Sequence, residues 1–592
     1  MSIVPRGMNI TEAYQLYRSG SLLVNRKYQR KLIWSAEEKE KLIGSILKGY
    51  PIPLILLAER PQIYGSGKYE IIDGMQRLNA ICGFIENLFT FDNKYFNTEE
   101  FSYAKQLADE NVFKVAGKDA LFLSRKECAD IIHYQIAVTI YTAIEESDIT
   151  EVFGRINSSG KHLSSQERRQ AGVTTPFAEV TRVIAMKLRG DDTPKILHLS
   201  QMPQVSIDSK QSNQGYGVQA EDTLWCKQGI LRVSELRDSE DEDMIADISA
   251  SILLEEPLPR SKERLDSLYD EQSSYFQDIA KSLAVYTADK LEENIVQTFS
   301  VLAETIEAYS QESKCLLNIV NPGSHNPIPQ AFYTIFMAFF DLIINQELFP
   351  ANIEGIMNAL KNLQQKLDLS RRYTTIQDRR NNINQTKGLI QDYFAKKEIS
   401  TLGQGVELIQ NFKNSLLRSL IETTKYECKQ GLCDLSPRRK LNKDLLQRLI
   451  ETICGIANSD PENDGYIFIG VADKKTDADR IKQLDNINPI EINGRYVVGI
   501  DRETKIIGKS LEDYVELLVN AVRHSELTNP LKTQVLMKFD TILYKGHSVI
   551  RITVPSQTEV SFVGEVAFTR ENSSTVEAKG PKLIAVSKRF QK

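Results

Sequence analysis

The sequence predicts an α+β chain of several domains, on three observations. At 592 residues it is too long for a single hydrophobic core. Strand-like and helix-like runs alternate from the N-terminus to about residue 175, and again beyond residue 403. Between them, apolar residues recur at the three- and four-residue spacing of packed helices. The expected division is therefore 1–235, a helical 236–402, and 403–592, with "STLGQG" around Gly403 and Gly405 as the hinge.

Taken in order, "SAEEKEKLIGSILKGYPIP" predicts a helix. Ser35 can cap it with Glu38 three residues on, and Leu42, Ile43, Ile46 and Leu47 form one apolar face. Gly49 and Pro51 then stop it. "PLILLAER" and "KYEIID" predict two strands flanking a loop that holds Gly65 and Gly67. No clear period emerges over 176–235, which includes the polar "SKQSNQGYGVQAED". The acidic "SELRDSEDEDMIADI" predicts a solvated loop leading into a helix. "NIVQTFSVLAETIEAYSQ" and "NIEGIMNALKNLQQKL" predict helices. The most apolar candidate, Ala331 to Ile344, is too short to span a bilayer and contains Asp341, so a buried helix and no membrane association are expected. In the last part, "LNKDLLQRLIETICGIAN" and "SLEDYVELLVNAV" predict helices, the second capped by Ser510. "GYIFIGVAD", "TQVLMKF", "SVIRITV" and "EVAFTR" predict strands.

Hydrophobic content of 41% and charged content of 26% are those of an ordinary globular chain. The net charge of −6 hides an asymmetry: residues 403–592 hold 28 Lys/Arg against 25 Asp/Glu, and the remainder 45 against 54. A slightly basic C-terminal part on an acidic body is compatible with nucleic-acid contact. Seven scattered cysteines form no CxxC pair. Cys428 and Cys433, the closest two, lack a histidine cluster, which argues against zinc and against a disulfide framework. The start, Met1 to Gly7, has no apolar run of the secretory kind. A cytoplasmic location is expected.

The stretch "YEIIDGMQRLNAICGF", 69–84, carries the first candidate chemistry. A strand ends at Asp73-Gly74 and a helix begins at once with Gln76 and Arg77. A helix N-terminus offers unpaired N–H donors and about half a positive charge. Gly74 permits close backbone approach, and Arg77 can fork onto phosphate oxygens. Gln76 can donate to a phosphate or position a water, and Asp73 can hold a divalent cation or a basic partner. The local alternative is that Asp73 is an N-cap and Arg77 a surface charge.

Two further segments, "RKYQRKLIWS" and "VFGRINSSGKHLSSQERRQAG", join this motif and the GxPIP turn in an ordered set over about 10–175. The set resembles the N-terminal domain of the GmrSD-type restriction endonuclease family, related to the ParB/sulfiredoxin-like fold, whose usual motif is DGQQR. The resemblance implies binding and hydrolysis of a nucleoside triphosphate, usually in defence against foreign or modified DNA. Carried over, it points to Gln29, Arg30, Asp73, Gly74, Gln76, Arg77, Arg155 and Asn157 for the nucleotide, with Asp73, Gln76 and Arg77 catalytic. Met75 departs from the usual glutamine, and a thioether cannot reproduce an amide's hydrogen bonds. His162 reads as a loop residue; Trp34 reads as core packing or as a base-stacking ring.

The second candidate chemistry lies in "LIETTKYECKQ", with Glu422 and Glu427 five residues apart and Lys429 two further on. If Glu422 ends a helix and Glu427 starts a strand, both can converge, with Asp473 at the end of "YIFIGVAD" as a third. Three carboxylates and a lysine suit a nuclease that uses Mg²⁺ or Mn²⁺; the alternative is three surface acids. "ETTKYECK", "ICGIANSD…DGYIFIGVAD", "VIRITVPSQ" and "AFTRENSSTVEA" resemble, in order, the Schlafen-type AlbA-like domain over about 415–580. That family binds nucleic acid and in some members cleaves RNA through two glutamates and an aspartate, which match Glu422, Glu427 and Asp473. Lys429, Arg438, Arg439, Lys440 and Arg570 are the expected phosphate contacts. Cys428 stands where Phe is common.

Together these expectations describe a bacterial anti-phage, restriction-like effector: a nucleotide-hydrolysing front, a helical middle and a rear that binds, and in one version cleaves, nucleic acid, DNA ahead of RNA. The alternative is a non-catalytic DNA-binding regulator switched by nucleotide. A homo-oligomer is left open.

Overall fold

The structure, a computed structural model, describes residues 3–26, 31–59, 69–110, 112–117, 119–142, 152, 164–170, 173, 175–190, 195–205, 207–208, 218–259, 261–368, 375–396, 411–416, 419, 424–461, 463–492, 494–571 and 573–590. The chain divides into two compact units, Met1–Ser400 and Thr401–Lys592. Each mixes helices and strands, so the chain is α+β.

The first unit is built on a six-stranded mixed sheet. Its strands are β1 (Ile3–Asn9), β2 (Leu22–Asn25), β3 (Ile55–Glu59), β4 (Tyr69–Asp73), β5 (Gln135–Thr142) and β6 (Ile196–His198), in the order β1-β5-β3-β4-β2-β6. The central β4 lies antiparallel to β3 and parallel to β2. Its register slips by one residue at the end: Leu57 faces Ile71 but Leu56 faces Asp73. Ile72 is the extra residue of a bulge, a device that bends a strand and re-aims the side chain that follows. The helices α1 (Ile10–Arg18), α2 (Ala36–Leu47) and α3 (Met75–Ile85) pack around it. The predicted cap of α2 is present, Ser35 and Glu38 forming a reciprocal capping box, with Leu42, Ile43 and Ile46 buried.

Beyond the sheet, the unit is helical. Trp225 is fully buried against Phe299 and Phe332, their ring centroids 5.2 and 5.4 Å away. The apolar stretch predicted to be a buried helix spans Pro329–Phe340. No helix among the described residues is long and apolar enough to cross a membrane. The acidic stretch departs from expectation. It is no solvated loop but two helices, Val233–Arg237 and Glu240–Leu253, with Asp241 fully buried and Glu242 nearly so. Four acids in the first turn suit the positive end of a helix, and a buried arginine described below takes up two of them.

In the second unit, the strand Tyr426–Lys429 runs parallel to Gly465–Ile469, which pairs with His547–Val554, and that in turn with Phe539–Tyr544. The helices Lys443–Ser459 and Leu511–Arg523 cover one face, burying Ile450, Ile453, Leu518 and Val522 against Ile467, Ile550 and Ile552. Ser510 caps the second helix as expected, boxed with Asp513. "EVAFTR" contributes the strand Phe568–Glu571, paired in a hairpin with Ser574–Glu577. "TQVLMKF" is not one strand: a short helix, Leu531–Leu536, ends just before the strand begins at Phe539. Val535 and its neighbour Leu536 both pack on the core, as adjacent residues of a helix can and as strand alternation would have prevented.

Candidate functional site

At the front, the bulged end of β4 delivers Asp73 to the lip of a cavity. Gly74 follows at φ +99°, and a Cβ there would lie 2.9 Å from Ile55 Cγ1. Only glycine fits that left-handed turn. Gly74, not Asp73, occupies the cap position of α3. Asp73 instead accepts from Arg77 Nη2 at 2.6 Å, and the Arg77 side chain is only 10% exposed. The local alternative of a capping acid and a surface arginine is therefore replaced by a half-buried ion pair across one helical turn.

Gln76 does something else again. Its Nε2 donates to Lys31 O at 2.8 Å, and its Oε1 accepts from the Ile33 and Trp34 backbone N–H groups at 3.2 and 3.3 Å. The amide is a clasp on the chain segment after "YQR", and it holds Trp34, half-buried, at the cavity wall and out of the core. Lys31 in turn donates from Nζ to Leu236 O at 2.9 Å and lies 3.9 Å from Asp241.

The cavity has a volume of about 1060 Å³, at the upper end of the range for small-molecule sites. Its lining includes the apolar Ile33, Trp34, Leu42, Pro51, Ile52 and Met75, the cationic Arg77, Arg182, Arg189 and Arg237, and the acids Glu38, Asp73, Glu167, Asp238 and Glu242. Arg182, Met186 and Arg189 come from the helix Pro176–Arg189, at the spacing i, i+4, i+7 that places three side chains on one face. Arg189 is clamped by Asp241 at 2.5 Å and Glu242 at 3.0 Å. Burial pushes the Asp241 carboxyl up, against the pull of Arg189 and Lys31. Sequence reading passed over this wall. Its signal was two arginines seven apart in an otherwise amphipathic helix. Gln29, Arg30, Arg155, Asn157 and His162 lie outside the described residues.

At the rear, Glu427 on the strand Tyr426–Lys429 is buried. Its Oε1 lies 2.5 Å from Lys429 Nζ and its Oε2 2.8 Å from Arg570 Nη2. Asp473 directly follows the strand Val471–Ala472 and pairs with Arg495. Partial burial raises the Asp473 carboxyl, opposed by Arg495; Glu427 raises it further, and Lys429 and Arg570 pull it down. The two acids thus share one electrostatic neighbourhood. Arg495 also donates to Ser419 Oγ at 3.1 Å and Ser419 O at 3.2 Å, tying to Asp473 the stretch that leads into Glu422. Glu422 itself lies outside the described residues. Among the described residues no three His, Cys, Asp or Glu side chains gather as a metal site.

The expected phosphate contacts separate by burial. Arg438 and Lys440 are exposed, and Lys429 is partly so. Arg439 is buried and pairs with Asp485 at 2.7 Å. The Arg570 side chain is 1% exposed and also holds Thr575 Oγ1 and Tyr426 O. As placed, those two guanidinium groups are braces within the fold rather than surface charges.

A chain with a cavity lined by several arginines in one unit and a carboxylate–cation cluster in the other belongs to the class of multidomain proteins that join two separately recognisable modules. Residues 10–173 match the family described as GmrSD restriction endonuclease, N-terminal domain, and residues 422–579 match the family described as Schlafen, AlbA_2. The chain thus carries both domains in that order. No curated protein and no solved structure matches it.

Two outcomes follow from the geometry. Gln76→Leu, close in size but unable to hydrogen-bond, releases three backbone groups, so amide exchange at Ile33 and Trp34 should quicken by roughly tenfold or more. Unchanged protection there would remove the clasp. Arg495→Met takes away the cation that stabilises ionised Asp473, so a carboxyl NMR titration should show that group ionising at higher pH than in wild type.

Proposed function

We propose that the chain is a restriction-like, nucleic-acid-acting defence effector whose front domain, with a ParB-like fold, binds and hydrolyses a nucleoside triphosphate. The observation that carries this reading is the cavity at the Asp73–Arg77 turn. A triphosphate needs cations and its base an apolar surface, and the lining of that cavity supplies both, in Arg77, Arg182 and Arg189 and in Trp34 and its apolar neighbours. Trp34 and its apolar neighbours receive the base, with the Gln76 clasp holding that wall in register. Arg77, fixed by Asp73, stabilises charge on the phosphate chain. Gln29, Arg30, Gly74, Arg155 and Asn157 complete the proposed nucleotide set. The carboxylate of Asp73, 43% exposed, fits a hard divalent cation, which when bound supplies charge neutralisation between phosphate oxygens.

For the rear domain, the reading is a nucleic-acid module, with DNA ahead of RNA, that cleaves with Mg²⁺ or Mn²⁺ held by Glu422, Glu427 and Asp473. Carboxylate oxygens are the donors a hard cation takes; bound there, it would stabilise charge on a phosphate under attack. Lys429, Arg438 and Lys440 guide the backbone of the nucleic acid. One observation favours a second reading, a non-catalytic DNA-binding regulator switched by nucleotide: both oxygens of Glu427 already face cations, an arrangement that stands without a metal.

Two measurements test these readings. Phosphate release by the purified protein with Mg²⁺ should appear with at least one of the four common ribonucleoside triphosphates and fall by roughly 100-fold in Asp73→Ala; no release from any of them by wild type removes the hydrolase. Glu427→Ala should abolish cleavage of DNA or RNA while retaining salt-sensitive binding if the rear domain is a nuclease. Intact substrates with wild type under both metals leave the regulator.

A further inference from the structure

The front cavity is walled on one side by elements beyond the matched segment, and its cations are not equivalent. Arg77 faces Asp73, and Arg189 faces Asp241 and Glu242. Lys31 is held by Leu236 O, Lys41 pairs with Glu37 on the outer face of α2, and Arg26 and Arg237 have partners of their own. Arg182 differs. It is 8% exposed and lines the cavity, yet its contact is a single donation from Nε to Gln170 Oε1 at 3.3 Å. Its Nη2 is buried with no hydrogen-bond partner; Arg26 Nη1 and Arg237 Nε share that state, but those two residues have further contacts and Arg182 has none among the described residues beyond Gln170. Glu242 lies near enough to favour the charge without bonding to it, and burial works the other way, lowering the guanidinium's hold on its proton.

A buried guanidinium nitrogen left without an acceptor is costly unless something fills its place. The surroundings say what. The cavity that Arg182 lines is large and shared with the turn at Asp73–Arg77 and with further arginines whose acids are already engaged, so the acceptor that suits its guanidinium is an anionic oxygen. We propose that Arg182 is a phosphate-binding residue, donating through its guanidinium to an oxyanion of the ligand in the cavity, and that the site is closed by the helix Pro176–Arg189 rather than by the matched segment alone. This rests on the nucleotide reading above and extends it in one direction. The helix carrying Arg182 packs against Glu240–Leu253 and Ala288–Tyr309, so an anion held at Arg182 is also held by the helical part of the first unit. Occupancy of the cavity is thereby linked to the order of that helical layer.

The test uses the full chain and two probes. Calorimetry with each of the four ribonucleoside triphosphates and Mg²⁺, on wild type and Arg182→Met, should show roughly 10- to 100-fold weaker binding in the variant. Arg182→Lys, which keeps the charge but not the fork, should recover part of it. Methionine fills similar space and removes an under-bonded buried charge, so the ligand-free Tm should not fall; a fall of several degrees with unchanged affinity would make Arg182 structural and overturn the proposal. Equal triphosphate binding by wild type and Arg182→Met overturns it while leaving the nucleotide reading intact. If wild type binds no triphosphate, inorganic tripolyphosphate decides: a rise in Tm lost in Arg182→Met supports an oxyanion site without a nucleotide, and no rise in either protein rejects both ideas.

Discussion

Where β4 turns into α3, the backbone at Gly74 passes so close to Ile55 that no side chain can be added, and the whole front site hangs on that approach. The bulge at Ile72 sets the direction of Asp73, the left-handed glycine reverses the chain within one residue, and α3 then starts without a side-chain cap. A tight strand-to-helix turn presents helix N–H groups toward solvent space, which is the general basis of anion binding at helix starts. Here the first helical turn contributes side chains as well. Arg77 swings back to Asp73 while Gln76 reaches forward to the 31–34 segment, so one turn of helix fixes both the charged lip and the aromatic wall of the cavity.

Charge within the first unit is organised around that cavity by burial. Exposed ion pairs add little to stability, but a pair such as Arg189 with Asp241, both almost fully inaccessible, has no solvent to fall back on and holds its geometry rigidly. Glu242 and Lys31 extend it into a network that joins the segment after "YQR", the helix Pro176–Arg189 and the start of Glu240–Leu253. Removing one member would strand the others. The acidic run therefore belongs to the framework of the site, and its concentration of negative charge is a counterweight to the arginines that line the cavity.

Much of this was legible in the sequence where the physics is local. The capping boxes at Ser35 and Ser510, the strand ending at Asp73 and the helix that follows, and the strand carrying Glu427 all depend on residues within a few positions of each other. The two domain resemblances rest on ordered motifs and agree with the matched segments. What escaped depends on distant partners. Nothing near Gln76 reveals that its amide is taken by backbone 45 residues upstream. Nothing in "SELRDSEDEDMIADI" reveals Arg189, and without that partner four successive acids read as solvated. Val535 and Leu536 escaped for a related reason: in so short an apolar run, strand and helix periods differ only in which residues meet the core.

The two candidate sites differ in how their charges stand before any ligand arrives. At the front, Arg182 lines the cavity with one hydrogen bond and no bonded acid, so an incoming anion would meet no carboxylate competing for it. At the rear, a cation approaching Glu427 must compete with charges already in place, and the two competitors are unequal. Lys429 is a flexible point charge with about a third of its side chain in solvent, readily rehydrated when displaced. Arg570 is sealed in, and bonds to Thr575 and the Tyr426 carbonyl keep it there. Any exchange at Glu427 therefore begins at Oε1, on the Lys429 side, while Arg570 keeps Oε2 and fixes the carboxylate plane. A lysine so displaced would be left beside the new cation and free to meet a phosphate, so that Lys429 would be the movable part of the rear site and Arg570 its fixed one.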